Sequence, residues 1–195
     1  MYSIKGLDFR VASNEKTIAL TGGNVNSKIG EQFIFLNDHG KEIKRYNVKD
    51  LLTGKESKDY IPMIGLLKWS DNSENLWGIL AEGSWIETIF SINIGTWEVK
   101  KYSTGNLPLG LEFELNANRG ILLFSDYPIL LDVFSESEYN SSKKSVKLYV
   151  YDLDTQRQQT ISTSITKRFN PKWLDDNTIE FDSPNGNGRQ IYKID

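Results

Sequence analysis

The residues able to do acid–base or nucleophilic chemistry are few and scattered. One histidine, His39, lies in the stretch NDHGK, and the chain has no cysteine. A general base needs a partner that positions it. Nothing beside His39 supplies one, so it is expected to be a solvated turn residue. A serine–histidine–aspartate triad would have to use His39, and the strained G-x-S-x-G elbow that presents a nucleophilic serine is missing. Without cysteine there is no disulfide, no thiolate nucleophile and no thiolate zinc ligand. Carboxylates are more plentiful. Glu112 and Glu114 lie two apart in LEFEL, on one face of an expected strand. A glycosidase needs two carboxyls held roughly 5–10 Å apart. Asp126 and Asp132 flank YPILL, and Glu136 and Glu138 fall in SESEY. Outward positions of a strand are ordinarily charged, and that reading is expected for the strand carboxylates. DLDT and SDNSEN lack the spacing of a calcium loop. The Gly-rich NGNG is not followed by a helix that could cradle phosphate. No catalytic residue, metal or cofactor is expected.

The chain's charge excludes one class of partner. Among 195 residues, 23 are Lys or Arg and 26 are Asp or Glu, a net charge of −3. Nucleic-acid binding calls for a basic face, whereas the Lys100–Lys101 and Lys143–Lys144 pairs sit beside acidic or polar neighbours. No apolar run approaches the ~20 residues of a membrane helix, so direct membrane insertion is not expected. The start, MYSIKGLDF, has no secretory apolar region. Met1 is either natural or a replacement for a removed leader or anchor, so an extracytoplasmic location stays open. A chain this long buries roughly 70% of its unfolded surface and folds without staples. A single domain over 1–195 is expected.

The elements that would position these residues are strands. No stretch of a dozen residues carries the i, i+3, i+4, i+7 apolar spacing of a helix. Short β-branched and aromatic runs alternate with polar turns instead. Strands are expected at Thr17–Gly22, Gln32–Asn37, Leu76–Ala81, Glu87–Asn93, Ile121–Asp126, Val146–Leu153, Thr178–Asp182 and Gln190–Ile194. Turns are expected at Asn37–Lys41, Asn93–Trp97, Asp152–Gln156 and Ser183–Gly188, where Asn, Asp and Gly tolerate positive φ. Lys49–Gly65 reads as a long loop or a loop containing one helical turn.

The order strand, polar turn, strand, loop, strand, turn, strand recurs. The second strand of each copy carries Ile18, Leu76, Ile121 and Ile179, which are 58, 45 and 58 residues apart. That spacing suits units of four antiparallel strands, which bury both faces only when stacked side by side. PKWLDDNTIEFDSPNGNGRQIYKID and KWSDNSENLWGIL resemble the TolB-like (WD-repeat-like) β-propeller repeat, whose pattern is x-W-S-P-D-G-x-x-I-A-F…I-Y-x-x-D. The same repeat occurs in propellers beside prolyl-oligopeptidase-type and dipeptidyl-peptidase-type hydrolases. RVASNEKTIAL and EFELNANRGILLF are weaker copies, and no copy keeps the Pro-Asp-Gly turn. The resemblance implies blades at about 6–50, 62–104, 109–163 and 168–195, with Trp69 and Trp173 as core between blades. In the hydrolases catalysis sits on a separate domain. SDNSENLW is also similar to the Asp-box of sialidase-like propellers, but it occurs once, with Asn72 and Glu74 at positions that want Asp and Gly, and is read as coincidence.

The last copy stops before its fourth strand. Met1–Lys5, with Tyr2 and Ile4 alternating, could supply it and close a ring of four blades. The alternative is a part of a larger propeller, since this repeat type usually makes six or seven blades. The most irregular segment is YPILLDVFSESEYNSSKKS, residues 127–145, between the second and third strands of the third copy. Long insertions in compact β domains are usually functional or disordered. Tyr127, Ile129, Leu130, Leu131, Val133 and Phe134 are expected either to pack back on the domain or to meet a partner. Trp85 and Trp97, near strand ends, are the next candidates for contact, against a reading as shields of a blade edge. The candidate contact residues are therefore Trp85, Trp97, Tyr127, Leu130, Leu131 and Phe134. The function expected is a non-enzymatic, all-β module that binds a protein or peptide or acts as a scaffold. The alternatives are a carbohydrate-binding or degenerate glycan-active propeller, and a structural or sensor part of a longer membrane-anchored bacterial protein.

Overall fold

A computed structural model describes residues 7–12, 14–22, 32–51, 63–82, 85–104, 107, 112–128, 136–186 and 188–194. The chain is built from antiparallel sheets with connections that follow sequence order. The first sheet holds β1 (Leu7–Val11), β2 (Thr17–Gly22), β3 (Gln32–Asn37) and β4 (Glu42–Asn47). A single helical turn, α1 (Val48–Leu51), follows. The second sheet holds β5 (Met63–Trp69), β6 (Asn75–Glu82), β7 (Trp85–Asn93) and β8 (Val99–Ser103). The third holds β9 (Phe113–Asn116), β10 (Ile121–Ser125), β11 (Ser145–Asp152) and β12 (Gln158–Ile165), with α2 (Glu136–Ser141) between β10 and β11. The fourth holds β13 (Lys172–Trp173), β14 (Thr178–Asp182) and β15 (Arg189–Lys193). The fold is all-β and propeller-like, as the repeat implied. Chain contacts group it into two compact units, Met1–Asn106 and Leu107–Asp195.

In the first unit the two sheets meet through alternate side chains. Ala19, Phe33 and Phe35 of the first sheet join Trp69, Leu76, Leu80, Phe90 and Ile92 of the second in one buried cluster. Their spacing by two residues puts them on one face of each strand. Phe35 is the hub. Its ring lies edge-on to Phe33 at 5.0 Å, Trp97 at 5.2 Å, and Trp69 and Tyr46 each at 6.3 Å. Edge-to-face pairs add to the apolar gain of burial. Gly78 of β6 pairs across the sheet with Phe90 of β7. A Cβ there would lie 2.8 and 2.9 Å from two ring carbons of Phe90 and closer still to its Cζ. The glycine is required because an aromatic ring covers its backbone.

The second unit repeats this logic. Ile121, Leu123, Leu148 and Val150 of the third sheet bury against Phe169, Ile179 and Phe181, with Trp173 packed at the margin. Trp69 and Trp173 thus serve cores between adjacent sheets. The Trp173 indole N–H is buried with no hydrogen-bond partner.

The hairpin turns share one chemistry. Asn37 Oδ1 accepts from the backbone N–H of His39 (3.1 Å) and Lys41 (2.9 Å). Asn93 Oδ1 accepts from Gly95 (3.0 Å) and Thr96 (2.9 Å), and Asp152 Oδ1 from Thr155 (2.8 Å). Each side chain closes its own turn. The left-handed position that ends each turn is Gly40 (φ 73°), Trp97 (φ 61°) or Gln156 (φ 58°).

Two expectations lie outside the described residues: Met1–Lys5 as a closing strand, and residues 52–62 of the Lys49–Gly65 loop; its described start is α1, and its expected end is not loop, because Met63–Gly65 already belong to β5. The 127–145 segment is not loop throughout, because Glu136–Ser141 forms a short helix.

Candidate functional site

Of the residues able to do chemistry, Glu112, Asp126 and Asp152 hold turns and sheets, and Asp132 lies outside the described residues. His39 is exposed at the tip of the β3–β4 turn, and its Nε2 lies 3.7 Å from Asp38 Oδ1. Glu112 and Glu114 part company. Glu114 is exposed on β9, whereas Glu112, just before the strand, is 9% exposed. The expectation of an outward carboxylate therefore fails at Glu112. Its Oε2 accepts from Ser125 Oγ (2.7 Å) and the Phe169 N–H (3.1 Å), and its Oε1 accepts from the Asn170 N–H (2.8 Å). Burial is tolerated because donors surround the charge. Glu112 is a clamp that ties the third sheet to the segment entering the fourth, and sequence reasoning missed it. Asp126 works similarly: it accepts from the Lys147 N–H (2.7 Å) and the Tyr149 hydroxyl (3.1 Å). Asp152 and Asn72, the calcium-loop and Asp-box candidates, accept turn N–H groups. Among the described residues no group of three or more His, Asp or Glu is placed to hold a metal ion.

Of the candidate contact residues, the structure describes the side chains of Trp97 and Tyr127. Tyr127 is 1% exposed, so it is a core residue and not a presented surface. Its ring meets Tyr139 of α2 edge-on at 5.2 Å, and the Arg168 guanidinium lies 4.9 Å above it. The reason is local: α2 is short but carries Tyr139 inward, and this covers the start of the insertion. Leu130, Leu131 and Phe134 lie outside the described residues, as do Ile129 and Val133. Trp85 opens β7, opposite Glu82. Trp97 is half-buried against Phe35, and its carbonyl accepts from the Tyr46 hydroxyl at 2.8 Å. Its ring belongs to the packing of the first unit.

Two features among the described residues are candidate contact surfaces. One is a polar cleft of about 250 Å³ at the β6–β7–β8 end of the second sheet, lined by Asn75, Ser91, Asn93, Thr96, Glu98 and Lys100. Asn93 Nδ2 donates to Asn75 Oδ1 at 3.1 Å, which fixes two carboxamides on its wall. Ser91, 6% exposed, is the most buried of these side chains. The other is the face of the first sheet turned away from its core. Register places Val11, Ile18 and Leu36 side by side, and Leu20 beside Ile34. Ile18, Leu20, Ile34 and Leu36 are only half-buried, and Val11 is 46% exposed. At its β4 margin Arg45 pairs with Glu42 and bonds Gln32. That ion pair holds the Glu42 carboxyl below its ordinary range, chiefly through the hydrogen bond from Arg45. The outer face of the fourth sheet is different in kind. Glu180 pairs with Lys172 (2.7 Å) and Arg189 (3.0 Å), and Arg189 with Asp182 (2.9 Å).

No helix among the described residues is long and apolar enough to cross a membrane. No family model matches the chain, and no curated protein matches it. Solved structures do. An oligogalacturonate lyase in complex with manganese is 13% identical, with a TM-score of 0.50 over 90% of this chain and 44% of that one. The β-propeller domain of the Trilobed protease from Pyrococcus furiosus is 12% identical, with a TM-score of 0.49 over 91% of this chain and 48% of that one. TolB from Acinetobacter baumannii is 12% identical, with a TM-score of 0.46 over 97% of this chain and 44% of that one. The chain spans less than half the length of these proteins. At 13% identity the likeness to the lyase is one of fold alone.

Proposed function

We propose that the chain is a non-enzymatic, TolB-like propeller module that binds a protein or peptide or serves as a scaffold. The observation that carries this reading is the aliphatic outer face of the first sheet. Val11, Ile18, Leu20, Ile34 and Leu36 lie side by side on one face of that sheet, Val11 exposed and the others half-buried, with the Glu42–Arg45 pair at the β4 margin. Such a patch is the usual mark of a contact surface. The carboxylates that could have formed a catalytic pair support it too, because Glu112 and Asp126 are committed to structural hydrogen bonds. The test is selection of peptide and small-protein binders from a display library, with Leu36→Lys as the counter-target. Binders that are lost on Leu36→Lys are expected. A selection yielding no binder sensitive to that face would remove the reading.

A second reading, carbohydrate binding, is favoured by the polar cleft. Carboxamides, hydroxyls, a carboxylate and an ammonium suit sugar hydroxyls. It does not use Trp97 as a platform, because that ring is packed on Phe35. Glycan-array binding that disappears in Ser91→Ala is the expected result, and an array without signal would reject it.

A further inference from the structure

We propose that the polar cleft of the second sheet is a carboxylate-binding site, and that its ligand is the free C-terminus of a peptide. The inference rests on the reading of the chain as a peptide-binding module and gives one end of the peptide a place. Register decides which groups face the cleft. Leu76, Phe90 and Ile92 turn to the core, so Asn75, Ser91 and Asn93 share the opposite face, with Lys100 beside Ser91. Hydrogen bonds within the chain then separate spent groups from available ones. Asn93 Oδ1 is taken by the Gly95 and Thr96 N–H groups and by the Thr96 hydroxyl (3.2 Å). Asn75 Oδ1 is taken by Asn93 Nδ2. Thr96 Oγ1 donates to Asn93 and accepts from the Glu98 N–H at 3.3 Å. What these carboxamides have left is N–H, on Asn75 Nδ2 and on the second hydrogen of Asn93 Nδ2. Beside them stands the Ser91 hydroxyl. That residue is 6% exposed, and its hydroxyl has no hydrogen-bond partner among the described residues. A polar group so placed is costly until something from outside the chain meets it.

A fixed set of donors with an ammonium on the same wall selects acceptor oxygens. A carboxylate offers two of them, with a charge that strengthens each bond. Capture of a chain terminus is one of the established modes of peptide recognition. The rest of the cleft fits a peptide end as well. Its remaining acceptor is the Glu98 carboxylate, whose charge Lys100 offsets. The last residue of a peptide carries an amide N–H on the carbon next to its carboxylate, so one residue can meet both the donors and Glu98. At about 250 Å³ the cleft is smaller than the roughly 300–1,000 Å³ of sites for drug-sized ligands, which limits it to one terminal residue. No aromatic ring is among its lining residues to stack on a sugar, and this favours a peptide terminus over an acidic sugar.

The test is titration of the full chain, followed by NMR of its backbone and carboxamide N–H groups, with three small probes. N-acetylglycine carries the carboxylate and the neighbouring N–H, N-acetylglycinamide lacks the carboxylate, and glucuronate is an acidic sugar. N-acetylglycine is expected to shift the Asn75, Ser91 and Asn93 resonances saturably, and N-acetylglycinamide to leave them in place. Ser91→Ala should weaken N-acetylglycine about tenfold. Asn75→Asp keeps the oxygen that accepts from Asn93 but sets a carboxylate where a donor stood, so it should abolish binding while the spectrum stays that of a folded chain. Absence of saturable shifts at the cleft, equal shifts from the amide, or N-acetylglycine binding indifferent to both substitutions would overturn the site. Glucuronate acting where N-acetylglycine does not would overturn the peptide terminus and return the cleft to the carbohydrate reading. Display-selected binders that require Leu36 would keep the peptide-binding reading standing if the cleft fails, and their absence alone would remove that reading without touching the carboxylate site.

Discussion

Replacing Gly78 by alanine tests the packing that joins the first two sheets. The added methyl would sit under 3 Å from Phe90 Cε1 and Cε2. Phe90 cannot simply withdraw. It is fully buried, and Phe33 stands edge-on at 5.9 Å. One of three elements must therefore move: the ring, β6, or the neighbouring sheet. Overpacking of this kind costs about 1–3 kcal/mol. It outweighs the gain of roughly 0.5–1 kcal/mol that alanine brings over glycine in a strand through lower unfolded-state entropy. The midpoint of thermal unfolding should fall by about 2–4 °C for each kcal/mol in a protein of this size. The clash needs the ring, so Gly78→Ala in a Phe90→Leu background should be close to neutral. The two changes then couple by about 1 kcal/mol or more. Urea unfolding followed by tryptophan fluorescence measures all four corners of this cycle. If Gly78→Ala costs the same with and without the ring, or costs nothing, the close approach does not carry the stability assigned to it.

Three further outcomes follow from the structure. Glu112→Ala strips acceptors from the Phe169 and Asn170 N–H groups and from Ser125, so it should cost about 2–4 kcal/mol in chemical denaturation; Glu112→Gln, which keeps one acceptor oxygen, should cost less. The Glu180 carboxyl is held below its ordinary value of 4.5, first by the hydrogen bond from Lys172 and then by Arg189. A carboxyl depressed in the folded state stabilises above its unfolded value and loses that contribution as pH falls through the folded one. Thermal midpoints measured from pH 6 down to pH 2 should therefore show a shallower acid limb in Glu180→Gln than in wild type, and superimposable limbs would contradict the pairing. Trp173→Phe removes part of a packed ring but no hydrogen bond, so it should cost about 1–3 kcal/mol in denaturant titration, and a loss well above that range would contradict the marginal packing of the indole.

What could be read directly from the residues is what depends on alternation. Thr17–Gly22, Gln32–Asn37 and Thr178–Asp182 were legible to the residue, because a half-buried strand writes its faces into a period of two. Trp69 and Trp173 were legible as core because the repeat places an aromatic at a fixed point. The rest depended on contacts distant in sequence. Glu112 looks like any solvated strand glutamate until Phe169 and Asn170 return beside it. Tyr127 reads as a loop residue because its cover, Tyr139, lies on a helix of six residues, too short for a periodic signal. Gly78 did offer a signal: a lone glycine inside an apolar strand marks close backbone approach. The cleft at Ser91 and the open face beyond Ile34 are products of register, which no single strand displays.

The turn chemistry bears on how the molecule ages. Hydrolysis of the Asn37 side-chain amide to aspartate, with release of ammonia, would keep the oxygen that receives the His39 and Lys41 N–H groups, whereas passage through the cyclic imide to isoaspartate would insert a methylene into the backbone of the turn. Asp152 already does this work in the third sheet with a carboxylate. Asn93 is less protected, because its amide nitrogen also donates to Asn75. Of these two asparagine-closed hairpins, direct hydrolysis should therefore be felt more at the second, on the wall of the polar cleft, while the isoaspartate route reshapes the backbone of either turn.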